Sequence, residues 1–263
     1  MRKGPQMSAV RPLNRLTLNL IDCADCARSD VARVFGGLVL LLALTAPAHG
    51  NMVLSNAIVH FEEGSAARQD VEISNAGSEP LYVQIEPHIV LNPGTDQEQR
   101  VLIKNPREHG LLVTPSRMVL APGTAKSMRL VKLAMPGDPD EQNERIYRIS
   151  ARPVVGDVSA EQTGLKVLIG YEVLAIVYPK TPTPDLVVER SGLTLTAHNK
   201  GNTNVLLQEG FQCETPEQPL EECAPVRGKR MYPGLSWSVD LQRDLPVRFF
   251  QSVGTRNYVE IYK

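Results

Sequence analysis

The stretch TGLKVLIGYEVLAIVYP, residues 163–179, constrains the fold more than any other part of the chain. At period two, Leu165, Val167, Ile169, Tyr171, Val173, Ala175 and Val177 share one face. Lys166, Leu168, Gly170, Glu172, Leu174 and Ile176 share the other. Successive side chains of a strand point to opposite sides of a sheet, so this reads as one long strand. One face is apolar throughout, and the other becomes apolar only near the end. A central strand buried on both sides would be apolar on both faces, and a surface strand would be polar along one whole face. The latter half therefore fits a buried sandwich strand. The first half has an apolar face without an obvious place in its own core.

The surrounding texture is all-β. Pro and Gly, at 20 and 19 residues, punctuate short alternating runs, and few helical windows occur after residue 50. Strands are expected in NMVLSNAIVHF (51–61), RQDVEISNAG (68–77), PLYVQIEPHIVL (80–91), on both sides of Pro122-Gly123 within 111–133, in RIYRISARPV (145–154), and in 163–179. Pro87 suggests a bulge or an edge in the third of these. This pattern fits an immunoglobulin-like sandwich over residues 51–179. KTPTPD follows, and residues 180–184 read as a short stiff linker. The same texture returns over residues 185–263, giving a second β domain.

Residues 1–50 are different material. VFGGLVLLLALTAPAHG (34–50) has an apolar core of about ten residues, too short to span a bilayer, followed by small residues. It reads as a secretory signal, cleaved after Gly50 in preference to Ala48. Residues 1–30 carry Asp22, Asp25 and Asp30, unlike a short basic signal start, and read as a doubtful upstream extension, with Val31 as an alternative start. The CxxC at Cys23 and Cys26 lies in that extension and is assigned no function. Cys213 and Cys223 are the two cysteines left after cleavage, and in an exported chain they are expected to pair.

Several classes of function are disfavoured. Lys+Arg total 28 against 29 Asp+Glu, so no broad electrostatic footprint for nucleic acid exists. The five histidines, 49, 60, 88, 109 and 198, have no zinc-ligand spacing. No nucleophile elbow, P-loop or GxGxxG occurs, and the acidic 137–144 loop lacks the order of a calcium loop. No enzyme activity, cofactor or metal is expected, and no membrane span in the mature chain.

The order of the segments carries a resemblance. VEISNAGSEPLYVQIEP (71–87) is followed by Thr114-Pro115, Arg117, Leu120, Pro122-Gly123 and Arg129-Leu130. DEQNERIYRISARP (140–153) and a strand ending in Tyr-Pro come next, then HNKGNTNVLL (198–207) and a second Pro-Gly turn. Over roughly residues 51–263 the chain resembles the PapD-like periplasmic pilus chaperones of Gram-negative bacteria, in a divergent subclass. The resemblance implies two immunoglobulin-like domains in a boomerang arrangement. It implies donation of the last strand of the first domain to a pilus or fimbrial subunit, and delivery of that subunit to an outer-membrane usher. The alternating donor residues fall on Leu165, Val167 and Ile169. An apolar donor edge is an aggregation hazard, so self-association is expected when no client is bound.

One departure matters. Many members hold the subunit's terminal carboxylate with an Arg on the first strand and a Lys late in the donor strand, and those positions are Ile58 and Leu174 here. The basic residues nearest to a cleft are Arg145 and Arg148, with Arg148 preferred; the alternative for both is an ion pair with the acidic 137–144 loop. Arg117 and Arg129 are read as structural. A competing reading, a secreted structural or adhesive pilus subunit, calls for an N-terminal donor extension and one domain, whereas this chain enters its first strand directly and has two.

Overall fold

The computed structural model describes residues 52–137, 141–154, 168–215 and 217–263. The expected signal segment and the upstream stretch with Cys23 and Cys26 lie outside the described residues. In chain order the first half contributes β1 (Met52–Leu54), β2 (Ile58–Phe61), β3 (Arg68–Asn75), β4 (Leu81–Leu91) and β5 (Gln99–Leu102). It continues with β6 (Leu111–Thr114), β7 (Arg117–Leu120), β8 (Ala125–Lys132), β9 (Arg145–Val154) and β10 (Tyr171–Val177). The second half contributes β11 (Leu186–Ser191), β12 (Thr194–Asn199), β13 (Val205–Gln212) and β14 (Ala224–Val226). β15 (Lys229–Met231), β16 (Ser236–Asp240), β17 (Val247–Val253) and β18 (Arg256–Tyr262) complete it.

Each half is a two-sheet, immunoglobulin-like sandwich. In the first, one sheet runs β1-β3-β8-β6 and the other β2-β10-β9-β4-β5, with β7 also on β4. Between them lie the inward-facing alternate residues: Val71 and Ile73, Met128 and Leu130, Val83 and Ile85, Tyr147 and Ile149, Val173 and Ala175. Burial pushes the Tyr147 hydroxyl up to about 12, and it donates to the His109 carbonyl at 2.7 Å. In the second half, β11-β12-β16 faces a sheet of β14-β13-β17-β18, with β15 beside β13. The structure joins Cys213 to Cys223 at the base of the loop between β13 and β14. No helix among the described residues is long and apolar enough to cross a membrane.

Two strand expectations are refined. The alternation of residues 51–61 predicts a single strand, but the segment breaks at residues 55–57 and changes sheet. β1 pairs with β3, whereas β2 pairs in parallel with β10. An edge strand that crosses between sheets buries Met52 in one layer and Val59 and Phe61 in the other. Pro87 lies mid-strand without a bulge, in continuous register opposite Ile149. It falls between the stretches of β4 that pair with β7 (Leu81–Gln84) and with β5 (His88–Leu91), where no ladder bond needs its missing N–H.

A single device closes both sandwiches. Asn75, fully buried, donates from Nδ2 to the Glu79 and Leu120 carbonyls at 2.7 and 3.1 Å, and its Oδ1 accepts the Gly77 N–H. Its carbonyl accepts the N–H of Gly123, in the Pro122-Gly123 turn. Asn199 repeats this arrangement. Its Nδ2 donates to Thr203 and Met231, its Oδ1 accepts from Gly201, and its carbonyl accepts from Gly234, after Pro233. Asn-x-Gly and Pro-Gly thus hold each other in both halves. Gly123 and Gly234 need the left-handed region, at φ 69° and 77°.

The halves meet along an apolar seam closed by two carboxylates. Val90, Ile146, Leu174, Ile176 and Tyr178 share a buried cluster with Leu195, Leu207, Tyr232, Leu235 and Phe249. Glu144 Oε2 accepts from the Thr203 hydroxyl at 2.9 Å, the Asn204 N–H at 2.8 Å and Asn204 Nδ2 at 2.7 Å. Its Oε1 is buried without a hydrogen bond. Burial raises the Glu144 pKa, outweighing the donors that favour the charged form. Glu62 accepts from the Thr255 N–H at 2.8 Å on the turn between β17 and β18.

Replacing either buried asparagine, as Asn75→Ala or Asn199→Ala, strands several backbone groups and is expected to lower stability by about 1–3 kcal/mol. Chemical denaturation measures this. Glu144→Ala is expected to destabilise through the stranded donors of Thr203 and Asn204, and Glu144→Gln much less. With its folded pKa raised, Glu144 is favoured in the protonated form. Wild-type stability at this site is therefore fully expressed below the unfolded pKa and lost as pH rises through the folded one. Denaturation at falling pH should show wild type gaining on Glu144→Gln.

Candidate functional site

β10 is the axis of the site. Val173, Ala175 and Val177 point into the first core, while Leu174 and Ile176 point the other way, into the seam. That explains why the latter half of this strand is apolar on both faces: each face meets a different sandwich. On one side β10 pairs with β9 along its whole length, from Tyr171↔Ala151 to Val177↔Arg145. On the other side β2 reaches only from Ile58, opposite Leu174, to Phe61. N-terminal to Leu174, that edge of β10 has no partner strand among the described residues.

The donor residues expected from the sequence lie at this opening. Ile169 sits two residues before β10 and is 51% exposed. Leu165 and Val167 lie outside the described residues. Gly170 is held close to β9; a Cβ there would lie 3.2 Å from Arg152 Cγ and 3.4 Å from the Ala151 carbonyl oxygen.

Across the seam-side face of the sheet, register aligns Ile58, Leu174, Arg148 and His88 in one row. Where many chaperones have two cations, this row has Ile58 and Leu174, and its cation comes from the next strand. Arg148 is about a third exposed and lies 3.8 Å from the Glu172 carboxylate. Glu172 also takes Arg100 at 2.8 Å, and Arg100 reaches Glu98 at 3.2 Å. The Glu98 carboxyl is held below its ordinary value, first by the Gly94 N–H and then by Arg100.

Arg145 is three residues away on β9 and therefore points to the opposite face. It is buried, donates to the Leu133 carbonyl at 3.2 Å, and stands 3.6 Å from Glu141. Its guanidinium packs on Gly110, where a Cβ would collide with it. Arg145 thus pairs with the acidic loop, while Arg148 pairs with Glu172. Arg129 makes a double hydrogen bond to Asp70 opposite it, at 2.8 Å each.

The Arg100–Glu172–Arg148 chain escaped sequence reasoning because its members lie on three strands far apart in sequence. So did a groove of about 650 Å³ near the other side of the same sheet. Register sets Val119 and Val154 on either side of Tyr82, and all three are exposed. The row from Gln84 to Arg117 lies next to it.

No protein-family model matches the chain. Over 206 residues, 75% of this chain and 83% of the relative, it is 30% identical to a CS1 fimbrial protein of Escherichia coli. The solved structure of the class 5 fimbriae chaperone CfaA superposes with a TM-score of 0.56 at 23% identity, covering 81% of this chain and 99% of that one. The complex of the Salmonella enterica SafA pilin with the SafB chaperone gives 0.54 at 14% identity, covering 82% and 98%.

Proposed function

This chain belongs to the family of PapD-like fimbrial chaperones, and from that premise we propose that it holds a fimbrial subunit through the open edge of β10. The observation that carries the reading is the coincidence of two boundaries. β2 stops pairing at Leu174, and the apolar alternation of Leu165, Val167 and Ile169 lies just N-terminal to that point. A client adding its strands there gains backbone hydrogen bonds from the edge and fills its own groove with these side chains. Each Leu, Val or Ile so buried contributes about 1.5–3 kcal/mol.

Arg148 anchors the client's terminal carboxylate in this reading. It occupies the same row as Ile58 and Leu174, it faces the seam, and a guanidinium can take a carboxylate with two hydrogen bonds. Arg145, buried on the other face, is not part of the anchor. Glu172 takes part by holding Arg148 from the side until a stronger acceptor arrives. Delivery to an outer-membrane usher requires a surface that stays free while the client is bound. The Tyr82–Val119–Val154 row, two strands away from β10, supplies one. The working compartment is the periplasm of a Gram-negative bacterium, where the Cys213–Cys223 pair persists. The role is binding and no catalysis is assigned.

Ile169→Asp is expected to reduce recovery of co-produced fimbrial subunit from the periplasm, with the melting temperature of the chaperone itself unchanged. Unchanged recovery would overturn the donor-edge assignment. Arg148→Ala should weaken the subunit complex about tenfold or more, the loss of a charge-assisted hydrogen bond, and Arg148→Lys should restore it only in part. An Arg148→Ala complex as tight as wild type would remove Arg148 from the anchor.

A further inference from the structure

β18 is the longest edge strand among the described residues. It pairs with β17 without a break from Val253↔Arg256 to Val247↔Tyr262, and its other edge has no partner strand among the described residues. Other edges are handled differently: β1, β2, β5, β6 and β7 have three or four residues, and β14 has three with a proline in the middle. β18 has seven residues and no proline or bulge. Tyr258, Val259 and Ile261 along it are 41%, 49% and 55% exposed. Such an edge is a template for another strand. Its two charges, Arg256 and Glu260, are of opposite sign, and no ion pair among the described residues uses either.

We propose that two copies of this chain pair β18 with β18 about a two-fold axis, so that the five-stranded sheet of one copy continues into that of the other. The occupant follows from the charge pattern. A two-fold axis relating antiparallel edge strands runs normal to the sheet, so one residue must lie opposite its own copy. Centred on Tyr258, the register sets Arg256 opposite Glu260 twice and Asn257 opposite Val259. Centred on Glu260, it sets like charges against each other. Centred on Asn257, Val259 or Ile261, it leaves both charges unmatched. Directly opposed side chains on one face interact most strongly, favourably for opposite charges and unfavourably for like ones. The strand is therefore self-complementary in one register. Val259 lies opposite Phe250, which meets Phe211 edge-on at 6.2 Å, so the outer face of the joined sheet is apolar at the joint. This interface leaves the β10 edge free and does not depend on client binding.

Sedimentation velocity on the purified protein, over about 1 µM to about 0.5 mM, reads the association. Wild type is expected to move from monomer to dimer across the series. Glu260→Arg and Arg256→Glu should each raise the dimer Kd by about tenfold or more, since each turns two attractive pairs into like-charge pairs. The double variant Arg256→Glu/Glu260→Arg should return the Kd to within about threefold of wild type, a rescue that loss of folding cannot produce. Ile169→Lys should leave the dimer unchanged. A wild type that stays monomeric throughout overturns the proposal. So does a dimer that ignores the charge variants, or one that is lost with Ile169→Lys and kept with Glu260→Arg.

Discussion

The burial of β10 on both faces is the constraint on which the rest of the molecule depends. Val173, Ala175 and Val177 fill the first sandwich, and Leu174 and Ile176 are covered by the second. Five consecutive apolar side chains on one strand therefore tie two cores together. Removing any of them opens a cavity in one core or at the seam. The Glu144 and Glu62 contacts add direction to this apolar joint, because hydrogen bonds to Thr203, Asn204 and Thr255 fix where the second half sits.

The same arrangement creates the open edge. β2 follows β10 only as far as both are needed to seal the seam, from Leu174 to Val177. Beyond that point the chain has no described strand of its own along β10, and the apolar alternation continues past the end of its own core. A strand meant to be finished by another protein would have this form: fully paired at one end, half-paired at the other. Glu172 marks the transition, since its carboxylate is already shared by cations from two other strands.

Much of this was legible in the residues. Period-two alternation gave the strands, the Pro-rich 180–184 segment separated two halves, and two cysteines in an exported chain gave the disulfide. Other features were not. The twin roles of Asn75 and Asn199 are invisible until each Pro-Gly turn is folded against its Asn-x-Gly turn. Arg145 and Arg148 look equivalent as neighbours in RIYRIS, yet three positions on a strand reverse the face, and burial then separates them. Which face belongs to the core is clear from Ile146 and Ile149 only once a second sandwich is known to cover the former.

The sequence by itself determined the period, the turns, the all-β class and the unusual apolar face of residues 165–169. These are local properties, set by how side chains alternate along one strand and by where Gly and Pro interrupt it. Only the tertiary structure decided that Leu174 and Ile176 meet a second sandwich, that Arg148 takes its place in the row with Ile58 and Leu174, and that Glu172 joins it to Arg100. Those facts depend on register between strands distant in the chain, and register is fixed by the packing of whole sheets rather than by any one strand's residues.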